Sequence, residues 1–187
     1  SDSTFIGIIL TDSIGSDHDV VFSLVDGTGS SDNDVFSING NQLILNSAID
    51  FESKSSYDLR IQSSFSDGSA LEQSFELSVE DVYEPPNLVL LSESSIDEGI
   101  VAGSVVAQLT AEDPDVDDQI HFTLPRLFLS STDNDQFSIL DNNLIINSVP
   151  DFESKQEYNL LIRATDSFGL YSDHNFIVAV NDLNESP

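Results

Sequence analysis

The 187-residue chain carries 34 Asp and Glu against 5 Lys and Arg, a net charge of −29, and contains no Cys. A nucleic-acid surface needs clustered Lys and Arg, so that class is excluded, and anionic membranes are disfavoured by the same imbalance. Zero cysteines exclude disulfides and thiolate zinc sites, whereas 39% hydrophobic residues, among them 12 Phe, set the chain apart from disordered sequences.

From the N-terminus, the first strand signal is VVFSL at 20–24, followed by DNDVFSINGNQLILNS at 32–47. Residues 50–61 read DFESKSSYDLRI, in which Tyr57, Leu59 and Ile61 alternate with polar neighbours. Phe75, Leu77 and Val79 alternate in the same way before the stretch EDVYEPP that begins at Glu80. Period-two alternation between Gly, Asn, Asp and Ser turns predicts short, half-buried strands. No stretch has helical periodicity. Pro85 and Pro86 predict a stiff, extended connector, because proline fixes φ and disfavours helix in the residue before it.

Beyond the connector the chain repeats itself. IHFTL at 120–124 lies beside VVFSL with an offset of 100; DNDQFSILDNNLIINS at 133–148 and DFESKQEYNLLI at 151–162 match their counterparts at 101. Tyr158, Leu160 and Ile162, then Phe176, Val178 and Val180, reproduce the alternation, and NDLNESP from Asn181 matches EDVYEPP. Matches this dense mean one fold used twice. The expected domains are residues 1–83 and 84–187, each an antiparallel sandwich of six or seven strands in roughly 100 residues. A chain that starts at Ser1 without Met reads as a piece of something longer, and no signal-peptide pattern or membrane-spanning apolar run is present.

Carboxylates recur at matched places. DFE contributes Asp50 and Glu52, and again Asp151 and Glu153; the segment after the last strand contributes Asp81 and Glu84, and again Asp182, Asn184 and Glu185. Asp113 and Asp115 form DPD, with Asp117 and Asp118 behind them, and Asp166 lies in ATDSFG. Carboxylates gathered in this way repel unless a divalent cation joins them. Calcium suits them because it takes about 6–8 oxygen ligands in flexible geometry.

The strings DFE, ATDSFG, DPD, DxNE and the IDEG of residues 96–99 resemble the calcium motifs of the cadherin family, in the family's order and over nearly the whole chain. The resemblance implies an all-β chain of two tandem Greek-key, immunoglobulin-like (cadherin-type) sandwiches, with calcium between successive repeats. It implies Asp50, Glu52, Asp81 and Glu84 as ligands from the first repeat, and Asp113, Asp115 and Asp166 from the second. Backbone carbonyls near Tyr83, and the loop at Asp117, complete the set. Glu98, Asp151, Glu153, Asp182, Asn184 and Glu185 make a second, incomplete half-site. Tyr83 stands where the family usually has Asn, so roughly one or two ions are expected at the central junction. Ser13 and Gly15 replace the upper Asp pair of the first repeat, Phe65 replaces Asp166, and that repeat lacks its opening strand.

The function implied is a calcium-dependent adhesion or spacer module, extracellular or at the cell surface, and not an enzyme. Expected partners are calcium and another copy of the chain, a cell-surface protein or a polysaccharide, with no nucleic acid and no membrane insertion. The absent Cys and the acidic bias lean towards a bacterial surface protein. The alternative is a carbohydrate-binding module of a larger exported protein, for which Tyr83 and Tyr171 are the exposed aromatic candidates, Tyr57 and Tyr158 reading as buried. A glycosidase would use paired carboxylates too, but these recur with the repeat beside linker prolines. An EF-hand from Asp113 fails at position 6, Asp118 instead of Gly, and at position 12, Leu124 instead of Glu. The DND tripeptides at 32–34 and 133–135 read as turns bonded to their own backbone. His18, His121 and His174 read as rim residues, LPRLFL at 124–129 reads as core, and the sequon at Asn184 is discounted inside a metal motif.

Overall fold

A computed structural model describes residues 4–10, 20–126 and 132–184. The chain divides into two compact units, Ser1–Val82 and Tyr83–Pro187. The first holds β1 (Thr4–Ile8), β2 (Val20–Leu24), β3 (Phe36–Asn39), β4 (Gln42–Leu45), β5 (Ser56–Phe65) and β6 (Ala70–Ser78). The second holds β7 (Leu88–Leu91), β8 (Ser95–Asp97), β9 (Val105–Glu112) and β10 (His121–Thr123). It continues with β11 (Phe137–Leu140), β12 (Asn143–Ile146), β13 (Glu157–Thr165) and β14 (Tyr171–Asn181). The first unit packs sheet β1-β4-β3 against β2-β5-β6; the second packs β11-β12-β9-β7 against β10-β13-β14-β8. Both are the sandwiches expected from the alternation.

Alternation decides which face is dry. In β13, Tyr158, Leu160, Ile162 and Ala164 are buried while Glu157 and Asn159 are exposed. Tyr57, Leu59 and Ile61 do the same in β5. Each core is seeded by a perpendicular aromatic pair, Phe36 with Tyr57 at 5.8 Å and Phe137 with Tyr158 at 5.2 Å between centroids. Fully burying one such leucine or aromatic contributes about 1.5–3 kcal/mol. The one-residue slip near the front of the repeat is visible in register: Phe22 faces Ser63, whereas Phe122 faces Ala164.

The units differ at their edges. In the second, β7 pairs with β9, and β8 runs parallel to the end of β14 and delivers Ile96 to the core. Among the described residues the first unit has no counterpart of either strand; β1 pairs only with β4, and β6 only with β5. Phe75 is therefore 39% exposed, while its counterpart Phe176 is partly buried against the core.

The DND tripeptides are structural, but their partners are not their own backbone. Each opens a 3-10 turn, Asn33–Val35 or Asn134–Gln136, laid against the long central strand. Asp32 exchanges backbone and side-chain bonds with Asp58, its N–H donating to the Asp58 carbonyl (3.1 Å) and its Oδ2 accepting the Asp58 N–H (2.8 Å). Asp133 does the same with Asn159, at 2.7 and 2.8 Å. Asn33 accepts the Arg60 N–H at 3.0 Å, and Asn134 accepts the Leu161 N–H at 2.9 Å. The turn thus supplies the hydrogen bonds that β2 and β10 are too short to reach, which local turn chemistry does not reveal.

Lys54 pairs with Asp32 and, with the Asp58 N–H, holds its carboxyl below the usual aspartate range. A depressed folded pKa stabilises above the unfolded value of about 4 and loses that contribution as pH falls through the folded value. Asp32→Asn is expected to flatten the acid limb of the first unit's stability below about pH 4. Urea midpoints at neutral and acid pH measure it; parallel curves for wild type and variant would remove the assignment.

Candidate metal centres

The upper cluster of the second unit is built from three loops. Asp113 and Asp115 follow β9, Asp118 closes the same loop after Asp117, whose φ of 68° is left-handed, and Asp166 opens the turn between β13 and β14. One ligand oxygen from each of Asp113, Asp118 and Asp166 lies within 4.8 Å of the other two. Asp166 is buried; its Oδ1 accepts the N–H groups of Phe168 and Leu170, both at 2.8 Å. Asp118 Oδ1 accepts the Gln119 N–H at 2.8 Å and bonds to Ser167. The other oxygens, Oδ2 of Asp113, Asp118 and Asp166, are buried and accept no hydrogen bond among the described residues.

Such oxygens are costly without a partner. At an effective dielectric of about 20, two carboxylates ~5 Å apart repel by about 3 kcal/mol. Burial, followed by the neighbouring charges of Asp115, Asp118 and Asp166, pushes the Asp113 carboxyl above its ordinary range. The hydrogen bond from Ser167 holds Asp118 below it. Hard carboxylate oxygens that face one another suit calcium, and the donor set fits it. Asp115 is buried but stands apart from this trio, its Oδ2 accepting the Glu84 N–H at 3.0 Å.

At the other end of the second unit, Glu98, Asp151 and Glu153 gather within the same 4.8 Å limit. Glu98 is buried, held by the N–H groups of Phe152 (3.0 Å) and Leu183. Asp151 accepts the Ser154 hydroxyl at 2.7 Å, as Asp50 accepts that of Ser53 at 2.7 Å in the first unit. These hydroxyls hold both Asp carboxyls below their ordinary range. Asp50, Glu52 and Asp81 are exposed on the loops that end the first unit. Asp182 and Asn184 are exposed and stay outside the Glu98 trio; Glu185 lies outside the described residues.

Phe65 occupies the place of Asp166. Its N–H donates to the Ser69 carbonyl as that of Asp166 donates to Leu170, so the same turn is built without the carboxylate. Ser13, Gly15 and His18 lie outside the described residues, as does 127–131 within the LPRLFL segment and beyond; Leu124 packs against the second core. His121 is exposed, and His174 contacts the Ser172 hydroxyl at 2.9 Å. Tyr57 and Tyr158 are buried as expected. Tyr83 stacks on Phe168 at 3.7 Å, and Tyr171 lies under the Arg163 guanidinium at 3.7 Å.

No family model matches the chain. It is 32% identical to mouse (Mus musculus) Cadherin-9 over 174 residues, 82% of the chain. It is also 30% identical to the Fat-like cadherin-related tumor suppressor homolog of Drosophila melanogaster over 177 residues, 84% of the chain. The chain thus shows cadherin-like homology. The solved human Protocadherin-24 EC1-2 superposes with a TM-score of 0.65 over 97% of this chain and 90% of that one, at 18% identity, a likeness of fold. The chain spans 21% of Cadherin-9 and 4% of the fly protein. Cadherin-like homology goes with an extracellular or cell-surface location. The lean towards a bacterial source finds no support in these animal relatives. No helix among the described residues is long and apolar enough to cross a membrane.

Proposed function

We propose that this cadherin-like pair is a calcium-dependent adhesion or spacer module, not an enzyme, in which calcium stiffens the connection between repeats. The proposed ligands are Asp50, Glu52, Asp81, Glu84, Asp113, Asp115 and Asp166, with Glu98, Asp151, Glu153, Asp182, Asn184 and Glu185 as a second set. The observation that carries this reading is the buried Oδ2 of Asp166, without a hydrogen-bond partner and beside two further carboxylates. Calcium 100-fold above its Kd would stabilise by about 2.7 kcal/mol. For a chain of this size that is on the order of 5–10 °C in Tm. Melting curves and small-angle scattering in calcium and in chelator test it. The expected result is a higher Tm and a more uniform maximum dimension in calcium, with most of the Tm gain lost in Asp166→Asn. Identical curves in both buffers would sink the proposal.

A second reading, self-association, is favoured by the flank of β6, which has one strand neighbour among the described residues and exposes Leu71 and Phe75. An unpaired edge of this kind templates pairing with another chain. The same scattering curves test it, because a monomer's forward scattering at every concentration would rule it out.

A further inference from the structure

We propose that Asp118 is itself a side-chain ligand of the cation in the upper cluster, so that Asp113, Asp118 and Asp166 face one ion together. The inference rests on the calcium reading above and adds a residue to it. Asp118 is tied by one oxygen only: Oδ1 takes the Gln119 N–H and the Ser167 hydroxyl, and Oδ2 is buried without a partner. Asp166, 6% exposed, has the same division, Oδ1 spent on two backbone N–H groups and Oδ2 bare. These residues come from loops 48 positions apart in the chain, yet their ligand oxygens meet with that of Asp113 inside 4.8 Å. A carboxylate that served only to tether Ser167 would gain nothing from turning its second oxygen away from water towards two like charges. A divalent cation of the calcium class supplies the missing partner, since it accepts several monodentate carboxylates at once. Ser167 then acts as a positioning residue, orienting the ligand through the oxygen that does not face the ion.

The test is calorimetric titration of the full chain with calcium chloride, comparing wild type with Asp118→Asn, Asp166→Asn and Ser167→Ala. Asp118→Asn keeps an oxygen for Ser167 and removes the charge. The expected result is one calcium site weakened on the order of tenfold or more by Asp118→Asn, with the calcium-free circular dichroism unchanged. Ser167→Ala, which leaves the charge in place, is expected to weaken the same site by a smaller factor. If Asp118→Asn titrates as wild type while Asp166→Asn loses the site, Asp118 is only a loop tether and the inference is overturned. If wild type takes up no calcium in the millimolar range, the calcium reading falls first and this inference with it. If Asp118→Asn disturbs the calcium-free spectrum, Ser167→Ala decides, and an unchanged affinity there overturns the assignment.

Discussion

Leu160→Ala is expected to destabilise the second unit by about 2–5 kcal/mol, the span for a leucine removed from a packed core. Leu160 is 1% exposed and sits among Phe137, Leu144, Ile162 and Val178, in a core closed at one flank by Ile96 from β8. Neighbours held on every side are poorly placed to collapse into the space. The matched change, Leu59→Ala, removes a residue that is 0% exposed, but from a smaller core of Phe36, Leu43, Leu45 and Tyr57. Leu59 also lines an apolar recess with Ile6, Ile8 and Leu77. That looser surround can relax, so its cost is expected near the lower end of the same range. Amide exchange read separately on β5 and β13 measures both. A loss below about 1 kcal/mol at Leu160 would contradict the packing described here.

Asn134→Ala is the other large effect. Asn134 is buried and makes three bonds: its amide donates to the carbonyls of Pro125 (2.9 Å) and Leu161 (2.8 Å), and its oxygen accepts the Leu161 N–H (2.9 Å). Alanine leaves both backbone groups of Leu161 without these partners in a buried place. At about 1–3 kcal/mol for each group, the expected loss is roughly 2–6 kcal/mol. Asn33→Ala, at the equivalent but half-exposed position, is expected to cost less, because water can reach the freed Arg60 N–H. Chemical denaturation of the two variants compares them directly. Equal losses would mean that the asparagines act only through turn propensity.

The tripeptide shows where local reasoning stops. Asn and Asp in a DND string favour turns by bonding nearby backbone, and a turn is what forms. The side chains of Asp32, Asn33, Asp133 and Asn134, however, take the N–H groups of Asp58, Arg60, Asn159 and Leu161, 26 or 27 residues along the chain. Nothing in the string names them, since they depend on how far β2 and β10 extend beside the central strand. Asp118 is the same lesson at the candidate site. It was visible as one more acid behind DPD, and its place in the EF-hand pattern only argued against that pattern. Its direction depends on the left-handed turn at Asp117 and on Ser167 across the loop.

By itself the sequence determined the fold class, the duplication and the cadherin-like character, because alternation and matched acids are periodic signals that survive without coordinates. It also picked out the carboxylates that recur at matched places in the two repeats. The tertiary structure alone decided which acids converge. Asp113 and Asp166 meet with Asp118, Glu98 meets Asp151 and Glu153, and Asp115 turns instead to the Glu84 N–H. Sequence spacing sets how far apart ligands are along the chain, whereas a cation responds to oxygens within a few ångströms, and only the folded loops bring those together.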